Sequence, residues 1–396
     1  MIDFEVSEAA KVVQDMAHEI AEDAFRKIAR YYDDHEHEFI KETDEIIKKM
    51  NMVGLQAMSA LQEQGGKGST ILAMLRQEEY NWGDAGISLG ATNLGLGNAA
   101  IFAVANEDQR NRFGTRYASM AITEPCCGSD TANIQATAKL DPETNEWILN
   151  GEKIFVTGGE HCELVVGWFS LDRSLGRAAI KSFVIEKGTP GMTVTKLEHK
   201  LGIKASDTAA IVFEDCRVPY ENILGNPEIQ PKKTTATGFK GAMKTFDATR
   251  PYVAIQAIGV ARAALDFTKE KLEKEGYTFP YDLSQHELSV VQKAILDMEA
   301  NLDAARLLIW KSAAMLDTGE RNSLDASFGK AKAGRAATLV TQKCVELLGP
   351  LGYSREWLVE KWMRDCKITD IFEGTGQIQM LVIARTILGF NRDQLK

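Results

Sequence analysis

Between Val6 and about Phe113 apolar side chains recur at three- and four-residue intervals, as in Val13, Met16, Ile20, Ala24 and Ile28. That spacing lines one face of an α-helix. Glycine clusters break the series at Gly65-Gly66-Lys67-Gly68 and at Gly95-Leu96-Gly97. From about Met120 to Val218 the pattern changes to short alternating runs, at residues 134–138, 147–149, 153–156, 164–166, 182–185, 192–194 and 210–213, which predict strands. Asn150-Gly151 between two of these runs predicts a tight hairpin turn, and with it an antiparallel sheet. A polar stretch from Gly225 to Lys240, with Pro227, Pro231 and several threonines, separates the strands from a second helical region that runs to the end. Helices, strands, then helices, with no alternating βαβ units, predict an α+β protein. The expected units are a helical domain over residues 1–118, a middle antiparallel β domain over 119–230 and a helical domain over 231–396.

Composition adds limits. A chain of 396 residues with 44% apolar and 26% charged side chains is globular and long enough for two or three cores. Acidic residues number 56 against 46 basic ones, a net charge of −10, which argues against a nucleic-acid partner. The start of the chain has no basic stretch followed by an apolar run, and no segment reaches the roughly 18 uninterrupted apolar residues of a membrane span. The expectation is a soluble, unprocessed cytoplasmic protein. Six cysteines without a C-x-x-C spacing and six histidines without an H-E-x-x-H pair predict neither a disulfide framework nor a metal.

Two glycine motifs imitate nucleotide sites. Gly95-Leu96-Gly97-Asn98-Ala99-Ala100 fits G-x-G-x-x-A, but no strand pattern precedes it. Gly66-Lys67-Gly68-Ser69-Thr70 resembles the end of a phosphate loop, yet Gly68 stands where Ser or Thr belongs, and a helix terminator is the better reading.

Three segments carry candidate chemistry. Residues 120–130, Met-Ala-Ile-Thr-Glu-Pro-Cys-Cys-Gly-Ser-Asp, offer hydroxyls and backbone N–H groups in a tight loop, suited to a phosphate or the edge of a heterocycle, though a structural turn fits as well. Residues 151–159, ending in Phe155-Val156-Thr157-Gly158-Gly159, set an aromatic and another threonine at a strand end, so two such loops can face one flat ligand. The third is Asp370-Ile371-Phe372-Glu373-Gly374-Thr375-Gly376-Gln377. Abstracting a weakly acidic C–H proton near neutral pH needs a carboxylate in a partly dry place. Glu373 behind Phe372 is the candidate base. Read alone, the same segment is more simply a capped helix start, with Thr375 as the cap and Glu373 near the positive helix end.

Six ordered motifs shift that balance: T-E-P-x-x-G-S-D (123–130), I-x-V-T-x-G (154–159), S-D-T-x-x-I-V-F-E-D-x-x-V-P (206–219), F-D-x-T-R-P (246–251), E-K-x-M-R-D-x-K (360–367) and E-G-T-x-Q-I-Q (373–379). Together they make the chain resemble the acyl-CoA dehydrogenases, FAD enzymes that introduce an α,β double bond into acyl-CoA thioesters. The resemblance implies a helical domain, a middle β domain and a C-terminal four-helix bundle. It implies flavin contacts for Ile122, Thr123, Gly128, Ser129, Phe155 and Thr157, with Thr157 near the flavin N5, Ser129 also toward the acyl-CoA, and Phe155 where many relatives have Trp. Asp247 and Arg250 would bind the CoA arm, Arg385 would add charge near the nucleotide, and Thr375 and Gln377 would contact FAD of the same or a neighbouring subunit. Glu373 would remove the α-proton, its backbone N–H polarising the thioester oxygen, with Phe372 and Gly374 beside the acyl group. Some relatives carry the base on the helix opened by F-D-x-T-R-P, at the position occupied here by Thr249.

Departures surround the implied adenine end. Thr278 and Phe279 fit, but Gly276 replaces an Arg, with Lys271 or Lys274 as substitutes, and the stretch to Gln292 is longer. Glu346, Gly349 and Pro350 fall where many relatives have a Gln and two glycines, and Pro350 has no N–H to donate. These changes point to a short, branched, cyclic or aryl acyl group. The resemblance further implies an electron-transfer flavoprotein as acceptor and a homotetramer built as a dimer of dimers. Rival readings are an enoyl- or acryloyl-CoA reductase on the same fold and a non-catalytic scaffold that keeps it.

Overall fold

The computed structural model describes residues 6–63, 69–229, 237–391 and 394. Among the described residues seven α-helices come first: α1 (Glu8–Ile20), α2 (Lys27–Asp34), α3 (Thr43–Glu63), α4 (Ser69–Gly83), α5 (Ala85–Gly90), α6 (Leu96–Val104) and α7 (Glu107–Phe113). The helical face read from the sequence is real, with Val13 fully buried and Met16, Ile20, Ala24 and Ile28 packed against the same core. A π-helical stretch, Ala21–Arg26, joins α1 to α2. It sits where α4 comes closest: a Cβ on Gly83 would lie 2.8 Å from the Ala21 carbonyl oxygen.

Gly95 caps α6, and α6 lies directly on the first strand, where a Cβ on Gly97 would fall 2.5 Å from the Ser119 oxygen. Close packing, not a dinucleotide, accounts for this pair of glycines. The Gly66-Lys67-Gly68 motif lies outside the described residues.

The sheet comprises β1 (Ala118–Ala121), β2 (Thr137–Asp141), β3 (Glu146–Thr157), β4 (Leu164–Ser170), β5 (Ile180–Glu186), β6 (Met192–Leu197) and β7 (Thr208–Pro219). Its order is β1-β4-β2-β3-β7-β6, with β5 beside β4. Most pairs are antiparallel, but β1 runs parallel to β4, and β2 meets β4 in parallel at Thr137 and Ser170. The Asn150-Gly151 turn is not there. The runs on either side of it form the single strand β3, and Gly151, at φ 139°, takes up an irregularity in the pairing with β7. Asn150 and Asp215 clasp this bulge through two hydrogen bonds, Asn150 Nδ2 donating to Asp215 Oδ1 and the Asp215 N–H to Asn150 Oδ1. The chain reverses instead before β3, where Asn145 is left-handed at φ 56°.

After the sheet come α8 (Thr237–Lys274), α9 (Val290–Asp317), α10 (Ser323–Leu348), α11 (Pro350–Tyr353), α12 (Val359–Cys366) and α13 (Gly376–Leu388). The four long ones form the bundle, with α10 packed against α8, α9 and α13. Small residues at the contacts, among them Ala257, Ala261 and Ala264 on α8 and Ala333 and Ala337 on α10, are fully buried and let the helices approach closely. Among the described residues no helix is long and apolar enough to cross a membrane.

Two buried ionic clusters tie the units together. Lys361 on α12 donates to both Asp84, the cap of α5, and Asp365, which in turn accepts the Ile203 N–H at 2.6 Å from the β unit. Glu78 and Glu79 on α4 accept from Arg262 on α8, and Glu78 also from Arg306 on α9. Buried carboxylates of this kind persist only when paired, so these contacts fix the seams between units.

Candidate functional site

Glu373 lies in the connection between the short 3₁₀ turn Lys367–Asp370 and α13. The chain folds back there, the Phe372 N–H donating to the Ile368 oxygen at 3.1 Å. Glu373 at φ 57° and Gly374 at φ 90° are then both left-handed. Thr375 caps α13 by accepting the Ile378 N–H, so the cap is real. Glu373, however, precedes that cap and sits in a backbone region that costs a non-glycine residue free energy. Its carboxylate accepts a hydrogen bond from Thr249 Oγ1 at 3.0 Å. Burial raises its pKa above the ordinary carboxylate value, while the Thr249 hydroxyl and the positive charges of Arg250 and Lys330 pull the other way. A raised carboxyl pKa beside fixed donors is what a C–H proton abstraction requires.

Lys330 is one residue that motif reading missed. It is fully buried on α10, and its ammonium donates to the oxygens of Thr369 (2.6 Å) and Gly374 (3.3 Å), on either side of Glu373. Burial pushes its pKa down to about 8, against the attraction of Asp370 and Glu373. A sequence signal did exist: Lys330 falls on the buried stripe of Ala326, Ala333 and Ala337, where a solvated lysine does not belong. Gln379, also fully buried, donates to the Gly374 oxygen at 3.1 Å.

Asp247 and Arg250 belong to the same end of α8 as Thr249. They pair with each other, and the start of α10 holds Asp247 through the Ser323 hydroxyl and Asn322. Arg250 is buried, and its Nε has no hydrogen-bond partner.

The two expected flavin loops are joined. The Ile154 N–H donates to the Thr123 oxygen at 2.9 Å, and below them a fully buried pair, Lys153 and Glu124, meets at 2.7 Å. Glu124 also accepts the N–H groups of Gln135 and Ala136. This anchor was not foreseen, because each partner looks like a surface charge in its own motif. Phe155 sits left-handed at φ 56° on a bulge of β3 and is 59% exposed. Thr123 and Thr157 are half-buried, Ile122 is buried, and Gly128 and Ser129 are exposed. A large apolar face beside hydroxyls and backbone donors fits a flat ring with a polar edge, so the residues present suit a flavin.

The remaining candidates lie elsewhere on the chain. From Thr249 to the end of α8 is roughly 35 Å of helix, so Thr278, Phe279 and Gln292 form a separate group. Gln292 caps α9 with Ser289, and its amide donates to the Thr278 oxygen at 2.8 Å. Gly276, at φ 92°, ends α8 in a left-handed turn that glycine takes without strain. Of the proposed substitutes for the missing Arg, Lys271 lies over the Trp357 ring and Lys274 pairs with Glu270. Glu346 is exposed and paired with Lys343, and Gly349, left-handed at φ 54°, closes α10. Gln377 is exposed in the first turn of α13, Arg385 lies in its last turn, and Phe372 is half-buried.

Comparisons with known proteins identify the family of this chain. The chain matches the acyl-CoA dehydrogenase N-terminal domain over residues 7–121, the middle domain over 119–216 and the C-terminal domain over 236–388. It is 37% identical over 350 residues to the short-chain specific acyl-CoA dehydrogenase, mitochondrial, of Bos taurus, covering 86% of this chain and 82% of that one. It is 33% identical over 395 residues to an acryloyl-CoA reductase (NADH) of Anaerotignum propionicum, covering 98% and 96%. The butyryl-CoA dehydrogenase structure from Megasphaera elsdenii superposes with a TM-score of 0.82 at 30% identity, covering 98% of this chain and 100% of that one. With its three domains matched in order and relatives aligned over most of its length, the protein belongs to the acyl-CoA dehydrogenase family.

Proposed function

We propose that the protein dehydrogenates a short acyl-CoA thioester between its α- and β-carbons, with Glu373 taking the α-proton. The carrying observation is the Glu373 carboxylate, raised in pKa by burial and held by Thr249. A neutral-pH reaction needs that base deprotonated but still basic; burial raises the Glu373 pKa, and the Thr249 hydroxyl with the positive charges of Arg250 and Lys330 opposes that rise. Lys330 fixes the carbonyls on both sides of Glu373, so the carboxylate and the Glu373 N–H keep one relative position. That N–H is the group on this chain suited to polarise the thioester oxygen as enolate charge develops. FAD is the family's cofactor and, when bound, supplies the acceptor for the hydride that leaves the β-carbon. Thr123, Phe155 and Thr157 would hold its ring, and Asp247 and Arg250 the CoA arm. The test is to mix the FAD-loaded protein with a panel of short, branched, cyclic and aryl acyl-CoA thioesters and follow flavin bleaching with an artificial acceptor. Bleaching by short acyl groups is expected; no bleaching by any member would overturn the proposal.

A second reading, the same site run in reverse as an enoyl- or acryloyl-CoA reductase, is favoured by the likeness to the acryloyl-CoA reductase. Reduced protein whose flavin is reoxidised rapidly by acryloyl-CoA, but whose oxidised flavin is not bleached by propionyl-CoA, would favour it. An electron-transfer flavoprotein as acceptor and a homotetrameric assembly complete the proposal. The separation of the Thr278 group from Glu373 supports the assembly, since such a group serves a cofactor only if it is a neighbour's. Native mass measurement checks it.

A further inference from the structure

A second cluster of ligand-type side chains lies on the seam between the N-terminal helices and the sheet. Glu36 and His37 follow α2, and His199 and Lys200 follow β6. His37 Nε2 is 3.3 Å from His199 Nδ1, and His199 Nδ1 is 3.3 Å from Glu36 Oε2. The ligand atoms all lie within 4.8 Å of one another. Ligands bound at about 2.0–2.1 Å around a tetrahedral ion stand about 3.3 Å apart. Both contacts therefore have the edge length of such a tetrahedron.

Protons satisfy the cluster poorly. If His199 Nδ1 carries a hydrogen for Glu36, it has no lone pair for His37; if it accepts from His37, it meets the carboxylate lone pair to lone pair. His37 Nδ1 is buried without a hydrogen-bond partner, so this cluster holds the ring's polar contact. The other Glu36 oxygen accepts the Lys200 N–H at 2.8 Å and the Lys200 ammonium at 3.3 Å, which turns Oε2 toward His199. His199 is 82% exposed, leaving a side open to solvent.

We propose that Glu36, His37 and His199 form a three-ligand site for a divalent transition-metal ion of the zinc type, with water in the fourth position. Two imidazoles and one carboxylate select such an ion over calcium or magnesium, which take oxygen ligands. The neighbouring Lys200 ammonium offsets the Glu36 charge, so the imidazoles carry the affinity. The ion clasps the turn after α2 to the segment after β6. No spacing motif reveals the site, because His37 and His199 lie 162 residues apart.

The test uses untagged, FAD-loaded full-length protein, stripped with a chelator and titrated with zinc chloride by calorimetry, with thermal melting alongside. One zinc ion per chain and a higher melting temperature are expected. H199N, at an exposed position that the core does not need, should lower zinc affinity at least about tenfold and abolish the thermal gain, with flavin bleaching by thioester unchanged. E36Q should weaken binding in the same direction. Absence of zinc binding overturns the proposal. So does binding that H199N leaves intact, which would assign the ion to another set such as Glu124, Cys126 and Cys127.

Discussion

Glu373, the proposed base, sets the chemistry it would perform against stability. Its folded-state pKa is raised, so the folded protein holds that proton more tightly than the unfolded chain does. Stability therefore falls as pH rises from the ordinary carboxylate pKa through the raised one, and above the raised value the full cost of burying the charge is present. E373Q should melt higher than the parent at pH 8, with the gain vanishing toward pH 4. The same variant should keep FAD and thioester binding yet lose flavin bleaching by about a hundred- to ten-thousand-fold, and near-parental rates would remove Glu373 from its role. For Lys330 the expectation differs. K330M deletes a charge that lowers the Glu373 pKa, so the acid limb of kcat/KM should move to higher pH. It should also destabilise the fold by about 1–3 kcal/mol, because the Thr369 and Gly374 oxygens lose a donor. Glu373 could be singled out in the sequence because its candidate chemistry is suggested by its neighbours Phe372, Gly374 and Thr375. Lys330, Lys153 and Glu124 were not, because their meaning lies in partners on other elements.

At the level of elements, periodicity was a sound guide and local turn signals were not. The helical faces reappear in the structure and every strand run overlaps a strand, since burial on one side imposes its period whatever the tertiary detail, although residues 134–136 precede β2. Asn150-Gly151 misled because an Asn-Gly pair serves a bulge as readily as a turn. What decides between them is the register against β7, which no local window contains. A test follows at Gly151, where φ is 139° and a Cβ would fall 2.5 Å from the Ala136 Cβ. G151A should lower stability by roughly 2 kcal/mol or more in urea unfolding. The flavin-type loops ride on the flanking strands β1 and β3, so the variant should also weaken FAD retention; unchanged stability would mean that the bulge shifts to accommodate the methyl group. The parallel pairing of β1 with β4 was equally invisible, since alternation reports which face is buried and not the direction of the neighbour.

For the whole molecule, the order helices, sheet, helices was readable from the changing period of apolar residues along the chain, and the motifs supplied the family. How the units lock together was not readable, because the locks are single charges. Lys361 is buried between Asp84 and Asp365, and K361M would leave two carboxylates uncompensated. A loss of about 3–5 kcal/mol is expected, read as a shift of the unfolding midpoint. A midpoint within error of the parent would mean that the two acids take up protons instead, which unfolding at several pH values would reveal. The lock also bears on synthesis. Asp84 and Lys361 are 277 residues apart, so at ordinary translation rates the acid waits roughly 15–55 s for its counter-ion. Throughout that interval the helices made first must keep their inner surface wet around a bare carboxylate. At this seam the helix that Asp84 caps therefore reaches its final packing only after α12 has been made.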